Sequence, residues 1–198
     1  MNTILDELEQ SGFILAIKDF GKQLKDIRFR LIDEYSLFHL KWWPKAKDGS
    51  LKSRDGTFWI NLYNSPLGHT WSGYAFEMLC LKHLSNIKKA LGISGILTSA
   101  SGWIYKPQGK SDDRGAQVDL LIDRADNCIN LCEIKYCNEE FLINKSYDKD
   151  LREKKNIFMS QTKTKKSVFL TLIAPYGVKK NAGYFETADV ILTMDSLF

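Results

Sequence analysis

The sequence of 198 residues has no apolar run approaching the roughly 20 residues that a membrane-spanning helix needs. Its start, M-N-T-I-L-D-E-L-E-Q, contains acidic residues and lacks the cationic segment that opens a secretory signal. These absences predict a cytoplasmic protein with no membrane partner. A composition of 44% hydrophobic and 26% charged residues is typical of a globular chain and argues against disorder.

Three signatures of common protein classes are also missing. No G-x-x-x-x-G-K-[ST] segment occurs, which excludes a P-loop ATPase within this sequence. The three histidines lie away from any cysteine or serine motif, so nucleophilic catalysis has little support. No C-x-x-C pair occurs, and we therefore expect buried thiols rather than a structural zinc site. The cysteines are Cys80, Cys128, Cys132 and Cys137.

Two predicted strands form the centre of the sequence. They run over Gln117–Asp123 and Asn130–Tyr136, and the polar turn Arg124–Asn127 joins them. Their near-continuous apolar residues are typical of strands that are buried on both faces.

Three charged residues interrupt these apolar strands. Glu133 and Lys135 point to the same side, because successive side chains on a strand alternate between faces. If the two strands pair antiparallel, Asp119 lies beside Glu133. Charges within core strands are costly unless they are paired or bound to a cation, so the pattern predicts a functional site.

The N-terminal quarter has the order of the closing half of a winged helix-turn-helix. Its predicted elements are the helix Thr3–Gln10, the strands Phe13–Lys18 and Ile27–Leu31, and the helix Asp33–Trp43, ended by Pro44. The alternative is a simple extension that packs on the main domain. We predict three regions: a partial winged-helix segment at 1–44, a linker at 45–70 and the main domain at 71–198.

The main domain is predicted to alternate helices and strands. Its first element, Trp71–Leu91, is predicted as the longest helix and ends at Gly92. Glu77 lies on an apolar face of this helix, where a carboxylate needs a partner. The remaining elements are a strand region Ile96–Tyr105, a loop Pro107–Arg114, the central strands, a basic helix Asn144–Thr162 and the strands Val168–Ala174 and Val190–Thr193.

The spacing Asp119-x13-Glu133-Ile134-Lys135 resembles the core motif of the PD-(D/E)XK nuclease superfamily. The resemblance implies an α/β, restriction-endonuclease-like fold with a central mixed sheet flanked by helices and preceded by the partial winged helix. Val118 stands where the motif has proline.

The same resemblance implies a site for Mg²⁺ or Mn²⁺. Asp119, Glu133 and the backbone carbonyl of Ile134 would bind the metal, and Lys135 would position the attacking water. Glu77 would complete the site. Gln117 and Gln161 match polar positions that recur near such sites and are auxiliary candidates.

A wider set of segments resembles the C-terminal half of a family of prokaryotic AAA ATPases. These segments are S-G-F-I, R-L-I-D-E-Y-S-L-F, W-S-G-Y-A-F-E, A-L-G-I, G-A-Q-V-D-L-L-I-D-R and C-E-I-K-Y. In that family a P-loop ATPase is followed by a winged-helix segment and a PD-(D/E)XK-like domain. The resemblance therefore implies an AAA ATPase partner, on the same chain or a separate one.

Two stretches carry a surplus of positive charge. Lys145–Lys166 holds eight Lys or Arg against three Asp or Glu, and Lys18–Arg54 holds ten against five. Each is either a solvated face or a contact surface for nucleic acid phosphates. The candidate DNA contacts in the stretch Lys145–Lys166 are Lys149, Arg152, Lys155, Lys163 and Lys165.

These patterns favour a metal-dependent DNA endonuclease domain. The alternative is a catalytically silent DNA-binding or regulatory module of an ATPase. A third hypothesis, a DNA binder that uses the winged helix, is weaker because the helices before the wing are absent. Many nucleases of this fold act as dimers, so a homodimer is a further expectation. We expect the five tryptophans to serve in packing rather than in base stacking.

Overall fold

The computed structural model describes residues 3–22, 27–47, 57–107, 114–179 and 187–198. Most of the predicted loop Pro107–Arg114 and the greater part of the segment Lys45–Arg54 therefore lie outside the described residues. The chain divides into two compact units, the first formed by Met1–Ala16 and Phe29–Lys82 and the second by Ile17–Arg28 and His83–Phe198.

The first unit contains four helices, α1 to α4, within the described residues. They span Thr3–Gln10 (α1), Glu34–Lys47 (α2), Phe58–Tyr63 (α3) and Pro66–Lys82 (α4). Strands β1 (Ile14–Lys18) and β2 (Ile27–Leu31) form a two-stranded sheet. The predicted order of helix, two strands and helix is confirmed, with the first helix matching residue for residue.

Helix α2 contains Pro44 instead of ending before it. The expectation that Pro44 ends this helix is wrong, and the first residues of the predicted linker are helical. A proline inside a helix lacks its own N–H and crowds the carbonyl four residues earlier. Only three helical residues follow Pro44, so the disturbance falls on the last turn.

The predicted helix Trp71–Leu91 is two helices. Helix α4 begins earlier, at Pro66, because proline suits the first helical position and the Ser65 hydroxyl accepts a hydrogen bond from the Gly68 N–H at 3.1 Å. It ends at Lys82, and α5 spans Leu84–Ala90 after a break at His83. The predicted stop at Gly92 is confirmed by its left-handed φ of 70°.

Gly68 also brings helices α3 and α4 together. A Cβ atom at this position would lie 2.2 Å from the backbone oxygen of Leu62. Any larger residue would separate the two helices. The stretch predicted as the linker 45–70 therefore contains α3 and the start of α4, which pack against each other.

The second unit is built on a five-stranded mixed sheet with the strand order β3-β4-β5-β6-β7. The strands are Thr98–Tyr105 (β3), Ala116–Arg124 (β4), Cys128–Ile134 (β5), Ser167–Ile173 (β6) and Val190–Leu192 (β7). The first three pair antiparallel, and β6 and β7 are added parallel. Helices flank this sheet, so the predicted α/β class with a central mixed sheet is confirmed.

Helix α6 (Lys145–Thr162) connects β5 to the parallel strand β6. Its buried residues Leu151 and Phe158 pack against a cluster on the sheet that includes Leu121, Leu131 and Leu170. The chain ends in a short 3-10 helix, Met194–Leu197. None of the helices that the structure describes is long and apolar enough to cross a membrane.

The second unit also takes in residues that the sequence grouped with the winged helix. Asp19 forms a β-bridge with Gly102, and the Phe20 N–H donates to the Gly102 carbonyl at 2.7 Å. The Phe20 ring lies 5.6 Å from that of Phe158, centroid to centroid. The limits of the compact units thus differ from the predicted boundaries at residues 44 and 71.

Candidate active site on the central strands

The pairing of β4 with β5 determines where the two candidate carboxylates lie. The strands are antiparallel, and Leu120 is opposite Cys132. Asp119 and Glu133 occupy the next positions on the two strands, beyond this pair. The register of β4 with β3 shifts between Leu121 and Val118, so Asp119 lies at an irregularity of the strand, and the paired residues of β4 and β5 end at Leu120 and Cys132. The expected neighbourhood of Asp119 and Glu133 therefore stays a prediction.

Glu133 is a buried carboxylate that accepts two hydrogen bonds and forms an ion pair with a further cation. Only 8% of its surface is exposed. The Lys135 ammonium lies 3.3 Å from Oε1, and the Tyr147 hydroxyl donates to the same oxygen at 3.1 Å. The Lys154 ammonium donates to Oε2 at 2.5 Å. The predicted orientation of Glu133 and Lys135 toward the same side is confirmed by their ion pair.

Tyr147 remains a hydrogen-bond donor in this arrangement. Its burial, the charge of Glu133 and the hydrogen bond to Glu133 raise the pKa of the phenol well above its usual range. The Lys135 ammonium also lies 5.6 Å from the centre of the Tyr147 ring, within the range of a cation–π contact. The tyrosine therefore contacts both members of the Glu133–Lys135 pair.

Asp119 is half-buried and is held by Gln117. The Gln117 amide donates to Asp119 Oδ1 at 2.6 Å. Gln117 and Lys154 both line a cavity of about 270 Å³ between the start of β4 and α6. Gln117 donates to Asp119 and Lys154 donates to Glu133. The lining of this cavity therefore includes a hydrogen-bond donor to each of the two carboxylates.

Sequence reasoning missed Lys154 and Tyr147. The signal was present on α6, where Tyr147, Leu151, Lys154 and Phe158 recur at helical spacing and form the stripe that faces the sheet. A lysine in such a stripe requires a buried partner, by the same argument that singled out Glu77. The spacing of residues on α6 does not show which carboxylate pairs with Lys154.

The remaining predicted site residues are Glu77, Gln161 and Ile134. Glu77 is half-buried on α4, which belongs to the first unit, whereas Asp119, Glu133 and Lys135 belong to the second. Gln161 is exposed on α6, roughly 10 Å along the helix axis from Lys154. The buried end of β5 carries Ile134, between Glu133 and Lys135.

Two of the five candidate DNA contacts, both on α6, pair with acidic residues of the chain. Arg152 donates to Asp148 at 3.0 Å, and the Lys155 ammonium lies 4.0 Å from Asp189. The other three are exposed: Lys149, Lys163 and Lys165. The positive charge of this helix is therefore partly balanced within the second unit.

None of the four cysteines forms a disulfide in the described part of the chain. Cys80 and Cys132 are buried as expected, whereas Cys128 and Cys137 are only half-buried. Burial, with a smaller effect from the Glu77 charge, raises the pKa of Cys80 to about 12. Burial also raises the pKa of Cys137. Among the described residues, no three His, Cys, Asp or Glu side chains are grouped so that they could together hold a metal ion.

Comparison with known proteins gives no relative: no protein-family model matches the chain, and neither a curated protein nor a solved structure is significantly similar to it. The function must therefore be argued from the site.

Proposed function

We propose that the second unit is a metal-dependent, PD-(D/E)XK-like endonuclease domain that hydrolyses DNA phosphodiesters. The observation that carries the proposal is the buried Glu133 carboxylate with the Lys135 ammonium 3.3 Å away, on the strand that pairs with the strand of Asp119. The order of α5, β3, β4, β5, α6 and β6 is consistent with this fold.

The donor set suits a hard divalent cation. Mg²⁺ in enzymes is commonly held by one or two carboxylates, with water and substrate phosphates as its other ligands. Asp119 and Glu133 supply two carboxylates, and the carbonyl of Ile134 is a third candidate ligand. Bound there, a divalent cation would neutralise charge on the phosphate and acidify a water molecule.

The side chains around these ligands have separate roles in this proposal. Lys135 positions the attacking water, and its own place is fixed by Glu133 and the Tyr147 ring. Tyr147, whose pKa is raised, stays protonated and holds Glu133 Oε1 by its hydroxyl. Gln117 orients Asp119.

One observation favours the alternative, a catalytically silent DNA-binding or regulatory module. Both oxygens of Glu133 already accept hydrogen bonds from the chain, Oε1 from Tyr147 and Oε2 from Lys154, and Lys135 adds an ion pair to Oε1. A carboxylate satisfied in this way is stable in a folded protein without a metal. An ATPase partner, for which the sequence resemblance is the only argument, belongs to either version of the proposal.

Metal binding and cleavage of a supercoiled plasmid test the proposal together. Calorimetry with Mn²⁺ and Mg²⁺ should detect binding to the wild type, and Glu133→Gln should abolish it and reduce nicking at least about 100-fold. The matched control is Glu140→Gln, which removes the same charge from an exposed position just beyond β5 and should change neither.

The two measurements separate the hypotheses. Metal binding that depends on Glu133 without nicking of any plasmid would favour the silent module. If neither metal binds, and Glu133→Gln retains its fold by circular dichroism, the carboxylate serves an internal ion network and the nuclease proposal is wrong.

A further inference from the structure

A second polar cleft lies within the second unit and has a volume of about 740 Å³. The candidate active site uses none of its lining residues. Three of the six are cationic and one is anionic: Asp19, Lys22, Arg28, Ile104, Tyr105 and Lys106.

The positive charges in this cleft exceed the negative charge that faces them. Asp19, only 5% exposed, forms an ion pair with Arg28 and lies 3.5 Å from the Lys22 ammonium. Lys106 is exposed and has no ion pair within the portion of the chain that the structure describes. One carboxylate therefore faces three cations, which leaves a surplus suited to an anion.

The backbone holds Arg28 and Asp19 against β3. A Cβ atom at Gly102 would lie 3.0 Å from Arg28 Nη2 and 3.2 Å from Asp19 Oδ1, so glycine is what permits this approach. Arg28 Nε is buried and has no hydrogen-bond partner among the residues that the structure describes. Buried donors are nearly always satisfied in folded proteins, so an unpaired one at a cationic cleft indicates a missing acceptor.

The cleft lies one strand away from the candidate active site. Ile104 on β3 is paired with Gln117 on β4, and Gln117 donates to Asp119. The neighbouring Tyr105 stacks on Trp103, with 6.4 Å between the ring centres and 15° between the ring planes. The cations of the cleft thus adjoin an apolar and aromatic wall on the strand next to Asp119.

We propose that this cleft binds a nucleotide phosphate. Lys22, Arg28 and Lys106 contact the phosphate oxygens, because guanidinium and ammonium groups form charge-assisted hydrogen bonds with them. The wall formed by Ile104 and Tyr105 contacts the attached sugar or base. The surplus of cations by itself supports binding of a phosphate. That the phosphate belongs to a nucleotide rests on the proposed function.

Fluorescence anisotropy with a short, fluorescein-labelled single-stranded DNA tests the cleft on the full chain. EDTA is present throughout, so that neither metal nor cleavage contributes. The double variant Lys22→Gln/Lys106→Gln removes two cations and leaves Asp19 its contact with Arg28. We expect its affinity to fall at least roughly tenfold, and the slope of log affinity against log salt to decrease by about 1.4.

The matched control is Lys88→Gln/Lys89→Gln, which removes the same charge from helix α5 in the same unit. It should retain most of the wild-type affinity. Equal losses in the two double variants, no loss in either, or no binding of the strand by the wild type would overturn the proposal.

Two competitors identify the source of the phosphate. Displacement of the labelled strand by thymidine monophosphate, at matched phosphate concentration, would indicate a free nucleotide, and displacement by unlabelled strand alone would indicate a polymer. Both results support a nucleotide phosphate in the cleft. Metal binding at Glu133 is measured separately and without DNA, so a failed cleft proposal and a failed nuclease proposal are distinguishable.

Discussion

Glu133 is the residue on which the candidate site depends. Its carboxylate is nearly enclosed, and two ammonium groups and a phenol compensate for its desolvation. The surface pair of Arg114 with Glu153, at 3.1 Å, has similar geometry but lies in water, where such a pair contributes little. Because Glu133 is buried, its contact with Lys154 contributes more to the stability of the fold than a surface pair does.

Removing Lys154 should therefore destabilise the protein. In Lys154→Met the nearest cation to a buried carboxylate is lost, and we expect the free energy of unfolding at neutral pH to fall by about 2–3 kcal/mol. Urea denaturation measures this loss. In Glu133→Gln/Lys154→Met, much of it should be recovered, because no buried charge is left unpaired.

The control for the Lys154→Met variants is Lys149→Met, at an exposed position of the same helix. A surface change of this kind should alter the free energy of unfolding by less than about 0.5 kcal/mol. If Lys149→Met and Lys154→Met cost the same, the Glu133 contact does not stabilise the fold.

Sequence reasoning reached part of this site. The alternation of side chains on a strand was sufficient to bring Glu133 and Lys135 to one side. Lys154 and Tyr147 come from a helix 14 to 21 residues further on, and their contact depends on how α6 is rotated over the sheet. That rotation follows from the packing of Leu151 and Phe158, which a linear pattern does not encode.

At the scale of elements, α6 determines the positions of Tyr147 and Lys154. The Asn144 side chain caps the helix by accepting from the Tyr147 N–H at 2.9 Å. We expect Asn144→Ala to lower the free energy of unfolding by about 1 kcal/mol, measured in urea, because the first turn then has an unsatisfied N–H.

The comparison for this prediction is Asn144→Ser, which keeps an acceptor at the cap and should lose less than half as much. Equal losses for alanine and serine would mean that the side-chain cap is not what stabilises the start of α6.

The elements that the sequence predicted well are those with strong periodicity and a clear stop. Helix α6 and strands β4 to β7 are within about two residues of expectation, because their apolar runs end at polar or glycine residues. The errors fall at prolines, which can end a helix or lie within its first or last turn. The long helix was predicted to begin at Trp71 but begins at Pro66, and Pro44 was interpreted as a stop but lies inside α2.

At the scale of the whole molecule, the second unit is discontinuous in sequence. It combines Ile17–Arg28 with His83–Phe198. Local patterns cannot predict such a unit, because its two parts are joined by contacts such as Phe20 with Phe158 rather than by chain proximity. The predicted boundary at residue 71 followed composition and helix periodicity alone.

A fragment of residues 71–198 should therefore fold less stably than the full chain. It lacks Phe20, whose ring lies against the fully buried Phe158, and the hydrogen bond from the Phe20 N–H to the Gly102 carbonyl. We expect its thermal midpoint, followed by circular dichroism, to be lower and its binding of a hydrophobic dye to be higher.

Point variants in the full chain isolate the contribution of Phe20. Phe20→Ala should reduce the free energy of unfolding by about 2 kcal/mol, less than a fully buried phenylalanine would because the ring is half-buried. Phe13→Ala, at a ring that is 41% exposed, should cost clearly less. If the fragment melts cooperatively at the midpoint of the full chain and Phe20→Ala is neutral, residues 17–28 are dispensable for this unit. The boundary at residue 71 would then be the correct one.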